Sequence, residues 1–436
     1  MRRLSLQSFL VAAWFFVGAK LVADSGHEWV QFRGNSANGI SSAEEIPLTW
    51  SDSESVLWKT ALPGPGSSSP VISGDRVFLT SYSGYGVGDG DPGELESLVR
   101  HLICLSRRDG KVLWVKDVPA RLPEDPYRGY ISEHGYASNT PVVDDDSVFV
   151  FFGKTGVLAF DHDGNERWRT SVGRESSNRR WGSASSLILS GDKVIVNASD
   201  ESQSIRALNR STGKEMWRAE AASLELAYGT PQVALRGDGA KDVVLCVPNE
   251  IWGLNEATGK LRWYAETGLP GNICPTITVS EGVAYGFGGY PTKGSFGVRL
   301  GGSGDVSQSH LLWKSRISSY VGSPVQHEGH LYWVTDGGKM ICVEAASGTL
   351  KYEEALPGLR STRNRAVYAS VIWAEDRLFA VTRFSGTYVV EAEPRFEVVA
   401  RNVLAADETQ FNGTPAIVDG LIILRSDRFA YAIGSL

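Results

Sequence analysis

The chain has 436 residues and a formal charge of −7, with 42% hydrophobic and 21% charged residues. This acidic balance argues against a partner held by charge alone, such as nucleic acid or anionic lipid, and no run after residue 25 is apolar enough for a membrane span. The 48 Gly and 13 Trp, against only 3 Met, favour many short strands joined by turns.

The N-terminus reads as an export signal. Arg2 and Arg3 precede an apolar stretch from Leu4 to Val22, and small residues at Ala19 and Ala23 offer cleavage sites. Residues 1–23 are therefore expected to leave the mature chain. Their removal takes Arg2, Arg3 and Lys20 and no acid, moving the formal charge from −7 to −10. The expected location is periplasmic or secreted. No Cys closes this segment, so a bacterial lipid-acylation site is not expected. The four cysteines, Cys104, Cys246, Cys274 and Cys342, form no CxxC. Cys104 and Cys342 occupy the same place in two repeats and read as small buried side chains.

One unit recurs along the rest of the chain. Its first half is clearest in SSPVISGDRVFLT (68–80), and its second half in ALNRSTGKEMW (207–217), matched by CLSRRDGKVLW (104–114), AFDHDGNERW (159–168) and GLNEATGKLRW (253–263). The unit reads as four short strands. The entry anchors are Pro70, Pro141, Leu187, Pro231, Pro275, Pro324, Val371 and Pro415, mostly spaced in the mid-forties, the size of a propeller blade. An aromatic closes seven units, at Trp114, Trp168, Trp217, Trp263, Trp313, Tyr352 and Phe396. The eighth unit ends after three strands, and the spare strand SVLWKTALPG, with Trp58, lies at the other end. The expected fold is all-β: an eight-bladed β-propeller of four-stranded antiparallel blades over residues 51–436. The N-terminal strand around Trp58 closes the ring. Residues 24–50 form an N-terminal extension whose role the sequence leaves open. Trp58, Trp114, Trp168, Trp217, Trp263 and Trp313 are expected to dock each blade on the next. GGSGDV (301–306) reads as a loop.

The repeated x-x-T-G-K-x-x-W pattern resembles the tryptophan-docking motif of the pyrroloquinoline-quinone-type propeller family over roughly residues 50–436. That resemblance implies one of two roles. Quinoprotein dehydrogenases of the family hold pyrroloquinoline quinone and Ca²⁺ centrally. The outer-membrane assembly lipoprotein organises other proteins without a quinone. The dehydrogenases would bring a disulfide between adjacent cysteines, which this chain does not have.

In a four-stranded antiparallel blade, the entry loop and the second-to-third loop share one face. The longest loops fall there: 81–100, 117–138, 170–183, 287–295 and 353–368. That face carries Tyr130, His134, Arg179, Arg180, Trp181, Tyr228, Asn272, Tyr320, Arg363, Asn364, Arg365, Tyr368 and Asn412 as candidate ligand-binding residues. Arg suits anions, and Trp and Tyr suit flat ligands or protein hot spots. Asp89, Asp91 and Glu94 are the weaker candidates for a Ca²⁺ loop, read first as an acidic turn. No nucleophile, zinc or nucleotide motif is seen. The sequence therefore favours a monomeric binding or scaffold protein for a protein, peptide or glycan partner, with no cofactor. The alternatives are a quinone- and Ca²⁺-dependent dehydrogenase, or a carbohydrate-active propeller enzyme.

Overall fold

The computed structural model describes residues 27–88, 90–360 and 365–435. The export signal expected at 1–23, together with Asp89, Arg363 and Asn364, lies outside the described residues. Eight sheets form the chain, each with a four-stranded antiparallel meander. Blade 1 runs Val71–Ser73, Arg76–Ser83, Val99–Ser106 and Val112–Pro119. The last blade takes Ala416–Val418, Leu421–Arg425 and Phe429–Ile433 from the C-terminus and Val56–Ala61 from the N-terminus. That N-terminal strand pairs antiparallel with Phe429–Ile433 and closes the ring.

The core is not one cluster but a series of seals between neighbouring sheets. Phe78, Leu102 and Cys104 of blade 1 pack on Val148, Val150 and Leu158 of blade 2. Tyr285 and Phe287 of blade 5 pack on Leu331 and Trp333 of blade 6. Both faces of each blade are therefore apolar, and the strands read as near-continuous hydrophobic runs.

Two repeated devices fix the blades. The first is tryptophan docking. The indole N–H of Trp58, Trp114, Trp168, Trp217 and Trp313 donates to a turn carbonyl of the next blade, that of Arg107, His162, Arg210, Glu256 and Ala345 respectively, at 2.8–3.0 Å. The ring lies flat on the glycine of that turn. A Cβ on Gly213 (φ +69°) would sit 2.5 Å from the Trp168 ring. A bulge beside each docking residue aims it outward, and the residue paired opposite is small: Cys104 for Trp114, Ala207 for Trp217, Gly297 for Trp313 and Cys342 for Tyr352. Two of the cysteines are thus small partners beneath an aromatic ring.

Trp263 lies in the seal between blades 4 and 5, as expected, but its hydrogen bond differs. Its indole N–H donates to Asp242 Oδ2 of its own blade at 2.8 Å, and the side chain is fully buried. Blade 5 has no tight turn to receive it. The third-to-fourth connection of blade 5 is long, and its residues Gly304–Asp305, expected to be loop, pair in parallel with Trp263 and Tyr264 as a fifth strand of blade 4.

The second device is a hydroxyl ring around the axis. Ser69, Thr140, Ser186, Thr230, Thr276, Ser323, Ser370 and Thr414 precede the innermost strands. The backbone N–H of each of the first seven donates to the hydroxyl of the next, at 2.9–3.1 Å. This ring places the fifth blade's anchor at Ile277, after Thr276, and not at Pro275. The local preference for proline misplaced it by two residues.

The segment from His27 to Trp50 lies across the turn face and hydrogen-bonds the inner strands. Trp29 bridges Ile72, the Val30 carbonyl accepts from Val143, the Ala37 carbonyl accepts from Gln232, and Ser41 bonds Trp373 and Ile417. Arg33 is fully buried and donates to Thr278 and to the Pro324 carbonyl. The extension is therefore part of the propeller and closes one end of its channel.

Gly213→Ala is expected to cost about 2–4 kcal/mol of unfolding free energy, combining the strained φ with displacement of Trp168. Gly191→Ala, also at positive φ but with open space around its Cβ, is expected to cost about 1 kcal/mol. Equal losses in denaturant titrations would contradict the docking role.

Candidate functional site

Each connection from a blade's outermost strand to the next innermost strand travels from rim to axis. Seven of these connections bring candidate side chains to the channel mouth opposite the N-terminal segment. The first carries Tyr130, at the start of the helical turn Ile131–His134. The second carries Arg179, Arg180 and Trp181. Tyr228, Asn272, Tyr320, Arg365 with Tyr368, and Asn412 follow from the next five.

These side chains form one aromatic surface with a guanidinium laid on it. Tyr130 stacks on Trp181 with ring centres 4.5 Å apart, and Trp181 stacks on Tyr228 at 5.5 Å. Tyr320 meets Tyr130 edge-on at 6.1 Å. Arg365 lies over both, 4.3 Å from the Tyr320 ring and 5.1 Å from the Tyr130 ring, and its Nη1 donates to Asp336 at 2.6 Å. Asn272 is buried and donates to the Tyr320 hydroxyl at 3.3 Å. Arg179 sits 5.9 Å from Trp181 at the exposed rim. Arg180 is exposed and turns with φ +53°; its side chain joins none of these contacts.

His134 is buried beneath this surface. Its Nδ1 pairs with Ser138 Oγ at 2.6 Å and its Nε2 with the Trp181 carbonyl at 3.0 Å. Burial, the largest cause, pulls its pKa down from 6.5 to about 4, so the ring is neutral at pH 7. Arg383, which the sequence reading did not single out, is fully buried under Tyr368. It donates to Glu133 Oε2 and the Glu133 carbonyl, both at 2.6 Å, and to Asn412 Oδ1 at 2.8 Å. No spacing in the sequence links Glu133 to Arg383, which are 250 residues apart.

Under the aromatic surface is a cavity of about 90 Å³ whose walls are ring hydroxyls and whose floor is Phe32 of the N-terminal segment. Beside it, on the same face, opens a groove of about 800 Å³ between the loops of blades 8 and 1, bordered by Tyr127, Glu133, Phe384, Asp427 and Arg428. Burial raises the Asp427 carboxyl to about 6. His134 and Asn412 border both spaces.

A second site was invisible in the sequence. Behind the Tyr130 turn, Arg100 pairs with Glu124 at 2.6 Å and Lys154 with Asp125 at 2.8 Å. Asp200 and Glu201 face the same small cavity, and burial pushes both carboxyls up. Asp200 Oδ2, Glu201 Oε2 and Arg100 Nη1 have no partner. These charges come from separate loops with no motif spacing.

The quinone and Ca²⁺ pair does not fit these residues. The quinone is a planar tricarboxylate, and Ca²⁺ takes six or more oxygen ligands with carboxylates among them. The axial cavity has neither an acid nor a guanidinium in its lining and is far below the ~300 Å³ at which ligand pockets begin. Among the described residues no group of three or more His, Cys, Asp or Glu could hold a metal ion. Asp91 closes its own turn by accepting from the Gly93 N–H, and Glu94 leads into a short 3₁₀ turn.

The depressed His134 pKa has a defined sign. The unfolded chain takes up the imidazole proton below about 6.5 while the folded chain resists until about 4. This contribution to stability is complete above pH 6.5 and is lost as pH falls from 6.5 to 4. Relative to the parent, His134→Gln is expected to gain at most about 3 kcal/mol between pH 7 and pH 4 in denaturant titrations. Parallel pH profiles for the two proteins would contradict a buried neutral imidazole.

No curated protein matches the chain. A family model described as outer membrane protein assembly factor BamB matches residues 94–228 and 201–287. Among solved structures, BamB from Moraxella catarrhalis superposes with a TM-score of 0.60 at 14% identity, covering 86% of this chain and 96% of that one. A europium-containing methanol dehydrogenase gives 0.60 at 10% identity over 92% and 89%. Saccharomyces cerevisiae Sqt1 gives 0.60 at 10% identity over 87% and 99%. At these identities the structural likenesses speak to fold alone. The docking motif, the eight blades and the family match over residues 94–287 agree: the chain is an eight-bladed β-propeller that resembles the pyrroloquinoline-quinone-like propeller family.

Proposed function

We propose that the chain is an exported propeller that binds a polypeptide segment of a partner protein on its loop-rich face, and that it is a scaffold and not a quinoprotein dehydrogenase. The observation that carries this reading is the convergence of loops from five blade junctions into one surface of Tyr130, Trp181, Tyr228, Tyr320, Tyr368 and Arg365. Tyr, Trp and Arg dominate the binding energy of protein interfaces, because they bury large area with few rotors and keep a polar handle. The adjoining groove supplies the polar border such a hot spot needs, with Glu133, Asp427 and Arg428 along an extended path. The family description, an outer-membrane assembly factor, agrees with a protein-binding role outside the cytoplasm. No described helix is long and apolar enough to cross a membrane.

Site-specific photo-crosslinking in the producing cells tests this. The probe goes at Tyr290, half-exposed and 6.0 Å from the Tyr320 ring, with Lys214 on the turn face as control. The expected result is a discrete polypeptide adduct from Tyr290 and none from Lys214. Trp181→Ala or Arg365→Ala should weaken it at least about tenfold, near 1.4 kcal/mol, as for an interface hot spot. No adduct at Tyr290, equal adducts at both positions, or indifference to both variants would overturn the reading.

A further inference from the structure

The hydroxyl ring holds donors that the protein does not use. Seven of its eight oxygens accept a backbone N–H from the neighbouring blade. A hydroxyl that accepts is polarised into a better donor. Yet among the described residues none of the eight hydroxyls donates to a protein acceptor. All but Ser186 border the axial cavity, and no carboxylate does. The Tyr130 hydroxyl is also buried without a partner, and Tyr130 borders the cavity from above. The polar part of this lining therefore offers hydroxyl donors and no carboxylate, set within a larger apolar wall that includes Phe32, Trp181 and Val321.

The charge beneath points the same way. Arg33 follows Phe32, the cavity floor, and reaches Thr278 and the Pro324 carbonyl, one layer below ring residues Thr276 and Ser323. It is wholly buried, its Nε has no partner, and among the described residues it makes no ion pair. Its other contacts are neutral oxygens, including the Asn38 carbonyl at 2.8 Å. An unpaired buried charge is costly, and in low dielectric an opposite charge nearby offsets that cost strongly.

We propose that the axial cavity binds one small monovalent anion of halide size, with the ring hydroxyls as donors and Arg33 as the neighbouring positive charge. The cavity, at about 90 Å³, holds a few water-sized particles and excludes large anions. The site stands independently of the partner-binding reading, since it lies below the aromatic surface and needs no partner.

Crystals of the mature protein grown in bromide, with anomalous scattering collected at the bromine edge, locate the ion. The expected map has a peak on the axis within hydrogen-bond reach of the ring hydroxyls. In parallel, bromide titrated against gluconate at constant ionic strength should raise Tm by about 2–3 °C between roughly 5 and 500 mM, as an ion that binds only the folded state must. Ser323→Ala with Ser370→Ala should abolish both signals, and the parent measurements stand even where that variant does not fold. Water alone on the axis, or a Tm response without an axial peak, would overturn the proposal. A peak without a bromide-dependent Tm would mean binding at crystal concentration only, and would overturn it as well.

Discussion

Eight innermost strands each turn an edge of backbone N–H and C=O groups toward a single axis, and most of the architecture follows from having to satisfy them. Exposed sheet edges recruit other strands, and buried unpaired ones are costly. This chain meets the constraint at two levels. At the loop face, seven of the eight entry N–H groups find the hydroxyl of the next blade. At the turn face, the N-terminal segment is drawn into the channel, where Trp29, Val30, Ala37 and Ser41 take up groups of inner strands from blades 1, 2, 4, 7 and 8. The outer edges are handled differently, by docked indoles and, on blade 4, by an added strand.

The candidate site is a by-product of the same geometry. Every rim-to-axis connection must end beside the hydroxyl ring, so any large side chain placed just before that end arrives at the channel mouth. How firmly each is held varies around the ring. On the side of blades 1 to 3 the loops are tied from beneath. Ser176 donates to Asp125, the Ser177 N–H to Asp200, and the Ser177 hydroxyl pairs with that of Tyr228 at 3.2 Å. On the opposite side Tyr320 and Arg365 are held by each other, by Asn272 and by Asp336. One side of the surface is thus braced from beneath and the other laterally, which leaves little ordering for a ligand to impose.

What was legible in the sequence is what each blade repeats within itself. The turn, the docking aromatic and the entry residue lie within one unit, so the blade count and the closure through the Trp58 strand could be read directly. Departures arose where the cause lies in the next blade. Trp263 reads like its equivalents and seals its junction as they do, but the turn that would accept its N–H is missing from blade 5, some 40 residues on. Pro275 looked like an anchor because proline is locally favoured there, whereas register is set by Thr276 and its partners on blades 4 and 6. The convergence of Tyr130, Trp181 and Tyr228 followed from loop position. The Arg383–Glu133 pair and the charged cluster around Glu201 did not, because separated loops meet there without a spacing rule. The destination of the N-terminal segment was also closed to sequence reasoning, since Arg33 finds its partners 245 and 291 residues away.

The N-terminal segment carries a consequence for how the molecule comes into being. Its residues plug a ring that is not a ring until the final strands exist, and the strand right after it belongs to the last blade. During synthesis the strand Val56–Ala61 therefore has no sheet partner until Phe429–Ile433 exists, while seven blades can assemble one against the next. Contacts of such long sequence separation form late and slowly. That strand is made before blade 1 and seated after blade 7. The nascent propeller remains an open arc, with two unsealed blade faces, until its beginning and its end meet.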